Sequence, residues 1–285
     1  MKLTKLNIPP CLLGEGALWH RETQEFVFTD IMSGDLFAAD EDRKVRTLLH
    51  CRYQLGAFLF DQNGDLILFT PGKVFKCRYG YGEEDFRLIC KVPMKPDERF
   101  NDACVDPKGR IFAGSKTERN VDGSLWLFER KYPPRRVMEG LKISNGMGFS
   151  PNRTIFYHTD SEDRTIYQYI YNCTEGCFFD KKIFVHFTSL DGSVPDGMKI
   201  DKDGNVWTAC WGGGCIRCYS PNGNLLHTIS LPSNQISSLA FGGSVLDHVL
   251  VTSASCDSKG SQEGFTWLLS DDNIFKGKED FRALI

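Results

Sequence analysis

The sequence of 285 residues predicts an all-β fold, a six-bladed β-propeller with four antiparallel strands per blade and one domain over residues 1–285. Three observations carry that expectation. A strand–turn–strand pattern recurs six times: EGALWHRETQEFVFTD from Glu15, GAFLFDQNGDLILFT from Gly56, NDACVDPKGRIFAGS from Asn101, NGMGFSPNRTIFYHTD from Asn145, DGMKIDKDGNVWTAC from Asp196 and, more weakly, SSLAFGGSVLDHVLVTS from Ser237. These starting residues lie 41, 45, 44, 51 and 41 residues apart, the period of a unit built from four short strands. Apolar residues alternate with period two around Gly, Asn and Asp turns and nowhere sustain a 3.6-residue period, which leaves few helices and removes a helical solenoid of the same period.

The fifth copy shows the unit best. Met198, Ile200, Val206, Thr208 and Cys210 alternate about Asp201-Lys202-Asp203-Gly204, a tight turn with Asp-Gly inside it. The turn begins five residues after the start of every copy, at His20, Asp61, Asp106, Ser150, Asp201 and Gly242. The remaining strands fall between copies: Ser124–Glu129 with Arg135–Met138, Thr165–Tyr171 with Ile183–Phe187, and Ile216–Ser220 with Leu225–Ser230, the last two joined at Asn222-Gly223. Met1–Leu13 and the tail from Gly264 must close the ring, one supplying strands missing from the other's blade.

Composition excludes several function classes. Net charge is −3 and charges of both signs are scattered, so there is no nucleic-acid groove and no polybasic membrane patch. The longest apolar runs are strand-sized. The first residues lack an apolar signal region, and the 11 cysteines are odd in number, so the expectation is a cytoplasmic protein with buried free thiols. Cys215 and Cys218 have CxxC spacing, but on a strand they point to opposite faces, and no second CxxC completes a tetrahedral site. Cys173 and Cys177 lie in a turn-like stretch where oxidation is conceivable. Asp201–Gly212 fails as a calcium loop, with glycine at position four and Gly212 where a glutamate belongs. The sequons at Asn152 and Asn172 carry no weight without a secretion signal. No P-loop, dinucleotide fingerprint or GxSxG elbow occurs. The expected partner is a small molecule, and the expected assembly a monomer or small homo-oligomer.

In a propeller the first strand of each blade lines the channel, so Glu15, Gly56, Asn101, Asn145, Asp196 and Ser237 form a ring at one depth. Two carboxylates near one another repel and each is costly to desolvate. A divalent cation relieves both costs, and Asp, Glu and Asn oxygens are hard ligands suited to one. The alternative is that these polar residues only cap strand ends or bind channel water.

GEGALWH (14–20), RFNDACVDPKGRIFAGS (99–115), ISNGMGFSPNRTIFYHTDS (143–161) and PDGMKIDKDGNVWTACW (195–211), with LAFGG (239–243) and VLVTSA (249–254), resemble the motifs of the gluconolactonase, regucalcin and senescence-marker family of sugar lactonases. The resemblance runs over most of the chain in the right order. It implies a propeller holding one divalent metal ion, with Ca, Zn, Mn or Fe(II) all open, on Glu15, Asn145 and Asp196. It also implies that Arg99 and Asn101 contact the substrate, a sugar lactone opened to its acid. The metal would polarise the ester carbonyl and acidify a water, and Asp196 would take the water's proton. Two other functions stay open on the same fold: an esterase or phosphotriesterase, and a non-catalytic calcium-binding regulatory propeller. Asp97, Glu98 and Asp102 make a surface salt bridge the alternative role for Arg99.

One stretch departs from the family pattern. Where a Gly-Thr-Met-like run and an acidic residue are usual, this chain reads Ala113-Gly114-Ser115-Lys116-Thr117-Glu118-Arg119. Glu118 is the nearest acidic candidate for substrate contact, because the usual acidic position falls on Arg119. Lys116 and Arg119 flank the channel mouth and are candidates to bind an anionic group on the substrate. His158 and Trp211 each read either as packing residues or as substrate contacts.

Overall fold

In the computed structural model, which describes residues 1–118, 122–256, 258, 260–271 and 273–285, six four-stranded antiparallel sheets follow one another along the chain. From the inside outwards, the first is Gly14–His20, Glu25–Asp30, Asp35–Asp40 and Val45–His50, and the second is Ala57–Phe60, Leu66–Thr70, Lys73–Cys77 and Arg87–Lys91. The third is Glu98–Val105, Ile111–Thr117, Gly123–Phe128 and Arg135–Leu141, and the fourth is Ser144–Phe149, Ile155–Asp160, Thr165–Asn172 and Cys177–His186. The fifth is Val194–Ile200, Val206–Trp211, Cys215–Tyr219 and Leu225–Ser230. The sixth is Ile236–Gly242, His248–Ser253, Trp267–Ser270 and, from the other end of the chain, Lys2–Lys5. Among the described residues the helices amount to two single turns, Glu83–Asp85 and Ser189–Asp191.

In three of the six repeats the turn has the same local cause. Asp61, Asp106 and Asp201 each accept two backbone N–H bonds through Oδ1, from residues two and four further on, at 2.8 to 3.0 Å. This side-chain turn folds the chain back on itself between the first two strands of a blade. Asp201 is also buried and accepts the indole N–H of Trp207 through Oδ2 at 3.1 Å. Its loop is therefore a hairpin turn and not a calcium loop. Between the sheets lies an aromatic filling. Phe26, Phe28, Phe69, Phe100, Phe112, Phe156, Trp126 and Trp207 are fully buried, each contributing about 1.5–3 kcal/mol of transfer free energy.

One expectation needs correction and another an addition. The outer strand of the fourth blade starts at Cys177, not Ile183. Its ladder slips between Gln168 and Ile170, and Asp180 sits at φ 56°, so the bulge hides the alternation. The tail also does more than close the ring. Lys2–Lys5 pairs antiparallel with Trp267–Ser270 as a ring closure requires, but residues 276–285 then cross the mouth of the channel at the turn end of the inner strands. There Lys202 N–H bonds Lys276 O, Gly277 N–H bonds Leu246 O, Ala283 N–H bonds Phe60 O and Leu284 N–H bonds Gly109 O, all at 2.8–2.9 Å. Lys199 pairs with Asp280 at 2.9 Å. The strap's backbone thus bonds to four blades, its Glu279 and Arg282 pair with Arg21 and Glu22 of the first blade, and it stoppers that end. None of the cysteines forms a disulfide among the described residues, and Cys215 and Cys218 pack into different apolar clusters.

Deleting Met1–Lys5 strips the partner from Trp267–Ser270. At about 1 kcal/mol per net hydrogen bond, the expected loss is about 2–4 kcal/mol, read as a lower urea midpoint; an unchanged midpoint would show that the closure contributes no stability.

Candidate active site

Five of the six inner ladders carry a register shift of one residue near the open mouth of the channel. The shifts fall between Glu15 and Leu18, Phe100 and Asp102, Asn145 and Met147, Pro195 and Met198, and Ile236 and Ser238. A bulge turns a side chain out of the ladder's alternation. Here the bulges coincide with the ring of residues at which the repeats begin. Glu15, Asn101, Asn145 and Asp196 line one cavity of about 370 Å³, together with Leu13, Arg99, Lys116, Ile143, Ser161, Glu162, Val194, Trp211 and Cys256. The other two ring positions do not reach it. The second blade has no bulge, and its Gly56 lies so close to the third blade that a Cβ would stand 2.1 Å from Phe100 O. Ser237 donates instead to Gly14 O at 2.5 Å and clasps the sixth blade to the first.

The cavity's polar groups are held from behind. Arg99 Nη1 donates to Asn101 Oδ1 at 2.9 Å and to Phe100 O at 3.0 Å, and Asn101 Nδ2 donates to Ser144 O at 3.1 Å. Asn145 Nδ2 donates to Ser161 Oγ at 3.1 Å, and Ser161 Oγ donates to Pro195 O at 2.7 Å. A hydroxyl has a single proton. Because Ser161 gives it to the carbonyl, it can only accept from Asn145, which leaves the carboxamide oxygen facing the cavity.

Three acids crowd this space. Burial pushes the Glu15 carboxyl well above its ordinary range, and the charges of Asp196 and Asp102 push further, against the Gly16 N–H and Arg99. Burial and Asp102 do the same to Asp196, against the Gly197 N–H, Lys116 and Asn145. Asp102, deeper in the channel, is pushed up to about 6 by burial, opposed by Lys199 and the Ala103 N–H. Meanwhile Asn145 Oδ1 and Asp196 Oδ1 are buried without any hydrogen-bond partner, which is expensive for each atom. Among the described residues no three His, Cys, Asp or Glu side chains are grouped so that they could hold a metal ion by themselves. The converging set is two carboxylates and one carboxamide, all hard oxygen donors, and Asn145 and Asp196 each hold an orphaned oxygen. That set fits a divalent cation with water or substrate completing its shell.

The other expected residues divide. Arg99 is buried in the cavity wall and not at the surface, and its Nε meets Glu118 Oε1 at 3.4 Å. Glu118 is 57% exposed and stands behind Arg99, not in the lining. Lys116 and Trp211 both line the cavity. Arg119 lies outside the described residues. His158 is a packing residue: it is fully buried, with Nε2 at 2.8 Å from Ser144 Oγ and Nδ1 without a partner. Ser161 is the functional residue that sequence reasoning missed. Its position at the end of the HTDS run was legible, but the proton argument that gives it a role needs the neighbouring blade's Pro195.

Burial, with Lys181 assisting, holds the His158 imidazole down to about 3 from 6.5. Between those values the unfolded chain binds the extra proton, so stability falls as pH drops from about 6.5 towards 3. Wild type should lose about 1.4 kcal/mol per pH unit more than His158→Gln between about pH 6 and 4, by urea unfolding. Parallel pH profiles would contradict a buried neutral histidine.

The sequence pattern of the SMP-30/Gluconolactonase/LRE-like region matches residues 13–255. The chain is 33% identical over 262 residues to a pentonolactonase of Haloferax volcanii, covering 92% of this chain and 88% of that protein. It is 31% identical over 264 residues to a 6-deoxy-6-sulfogluconolactonase of Pseudomonas putida, covering 92% and 89%, and 28% identical over 253 residues to regucalcin of Homo sapiens, covering 86% and 84%. Among solved structures, a luciferin-regenerating enzyme superposes with a TM-score of 0.92 at 23% identity over 100% of this chain and 99% of that one. A regucalcin of Agrobacterium tumefaciens does so with 0.90 at 21% identity over 99% and 97%. At these identities the structural likeness speaks to the fold alone. The extent of the sequence match makes this chain a member of the SMP-30/gluconolactonase/LRE-like family.

Proposed function

We propose that this chain hydrolyses a sugar lactone to its sugar acid, with one divalent cation held by Glu15, Asn145 and Asp196. The observation that carries the reading is the convergence of two crowded carboxylates and a carboxamide on one cavity, with Asn145 Oδ1 and Asp196 Oδ1 buried and unpartnered. The family, and the lactones named for the Haloferax and Pseudomonas relatives, support the substrate class. The cavity's size of about 370 Å³ sits at the small end of ligand pockets. When bound, the cation polarises the ester carbonyl and lowers the pKa of a water.

The chain's own residues supply the rest. Asp196 accepts the proton of the attacking water as the new C–O bond forms at the carbonyl carbon. It returns that proton to the ring oxygen as the ester C–O bond breaks. Arg99, fixed by Phe100 O and Asn101 Oδ1, orients the substrate's oxygens, and Asn101 is locked at both ends of its amide. Ser161 sets the direction of the Asn145 amide. Within this reading the substrates include lactones that carry an anionic group, because Lys116 lines the same cavity.

Proton release from a panel of aldonolactones, with chelator and then single-cation add-back, tests the proposal. Chelation should abolish turnover, and Asp196→Asn should lower kcat about 10²–10⁴-fold. Ser161→Ala should weaken cation affinity about 10–100-fold and recover turnover at saturating cation. Full turnover in chelator, or in Asp196→Asn, would overturn the reading. Cation binding without turnover of any lactone would leave a binding propeller.

A further inference from the structure

We propose that Lys116 makes this site selective for lactones bearing an anionic oxyacid group, a sulfonate or a phosphate, over neutral ones; the proposal rests on the lactonase reading. Arg99 and Lys116 are direct partners across the antiparallel ladder of the third blade. Such partners project from the same face with their Cβ atoms about 5 Å apart, and like charges in that relation are destabilising. Both line the cavity. A destabilising pair of cations in the wall of a cavity needs an offsetting anion.

The protein does not provide enough of one. Glu118 is committed to Arg99 at 3.4 Å and is mostly in solvent. The Lys116 ammonium has no hydrogen bond or ion pair among the described residues, although its backbone is tied to Arg99 and Ile143 on either side. Glu15 and Asp196 are the remaining buried acids of the lining, and Glu162 is exposed at its rim. A divalent cation uses both buried charges. With it bound, Arg99 is balanced by Glu118, and Lys116 is left as the uncompensated charge of the cavity. The lining also includes the apolar side chains of Ile143, Val194 and Trp211, which can pack against a sugar without competing for that charge. A neutral lactone offers Lys116 only uncharged oxygen acceptors, whereas a sulfonate or phosphate brings the compensating negative charge.

The test compares kcat/KM for glucono-1,5-lactone, its 6-phosphate and its 6-deoxy-6-sulfonate in wild type, Lys116→Gln and Lys116→Arg. Wild type should favour the anionic lactones, and Lys116→Gln should reduce the anionic-to-neutral ratio about 10–100-fold, mainly through KM. Lys116→Arg should retain most of the ratio. The phosphate and sulfonate arms show which oxyacid fits. A ratio that Lys116→Gln leaves unchanged, or no anionic preference in wild type, overturns this proposal while the lactonase reading stands. Turnover of no lactone overturns the lactonase reading instead. In that case titration of the cation-loaded protein with 6-phosphogluconate and with gluconate decides the role of Lys116. Tighter binding of the phosphate that Lys116→Gln removes supports it, and equal binding overturns it.

Discussion

A single extra residue in five inner strands is the constraint on which the site depends. Without it, the strands would alternate regularly, and residues entering the mouth would be directed by the pleat alone. The bulges re-aim Glu15, Asn101, Asn145 and Asp196 into one cavity. They also concentrate the cost of the fold in one place, as buried carboxylates that repel and oxygens that bond to nothing. The rest of the propeller stabilises that arrangement through aromatic packing between blades and through a strap that stoppers the opposite mouth.

Inter-blade contact then makes the geometry rigid. The glycine after Asn145 has no room for a side chain: a Cβ on Gly146 would lie 2.4 Å from the backbone oxygen of Asp196. Two of the three candidate ligands thus come from strands that abut directly. Ser161 bridges the same two blades, with Asn145 on one side and Pro195 O on the other. Ser144 ties His158 and Asn101 together from below. The cavity wall is thus a chain of hydrogen bonds running from the third blade to the fifth, which is why few of its atoms are free to relax.

Much of this was legible in the sequence, because the turn chemistry and the period of the repeats report the backbone directly. The polar turn between the first two strands of each copy marked where the hairpins begin, and counting back placed Asn101, Asn145 and Asp196 in one ring with Glu15. The same count overstated the ring. Gly56 and Ser237 occupy equivalent positions, but one has no side chain and the other spends its hydroxyl on a neighbouring blade. Contacts between residues distant in the chain were not legible. Ser161 acquires its role only through Pro195, and although Lys116 stood out in the sequence as a rim cation, its position across the ladder from Arg99 did not. The strap was missed because residues 276–285 bond to several blades without forming a strand whose pattern could be read.

The central claim is that Glu15, Asn145 and Asp196 are gathered to share one cation. Anomalous diffraction from crystals soaked in Mn²⁺ tests it most directly. The account predicts one dominant peak in the channel mouth, in contact with Glu15, Asn145 Oδ1 and Asp196, absent from Asp196→Asn crystals. A peak elsewhere, or none at a concentration that saturates the protein in solution, would contradict it.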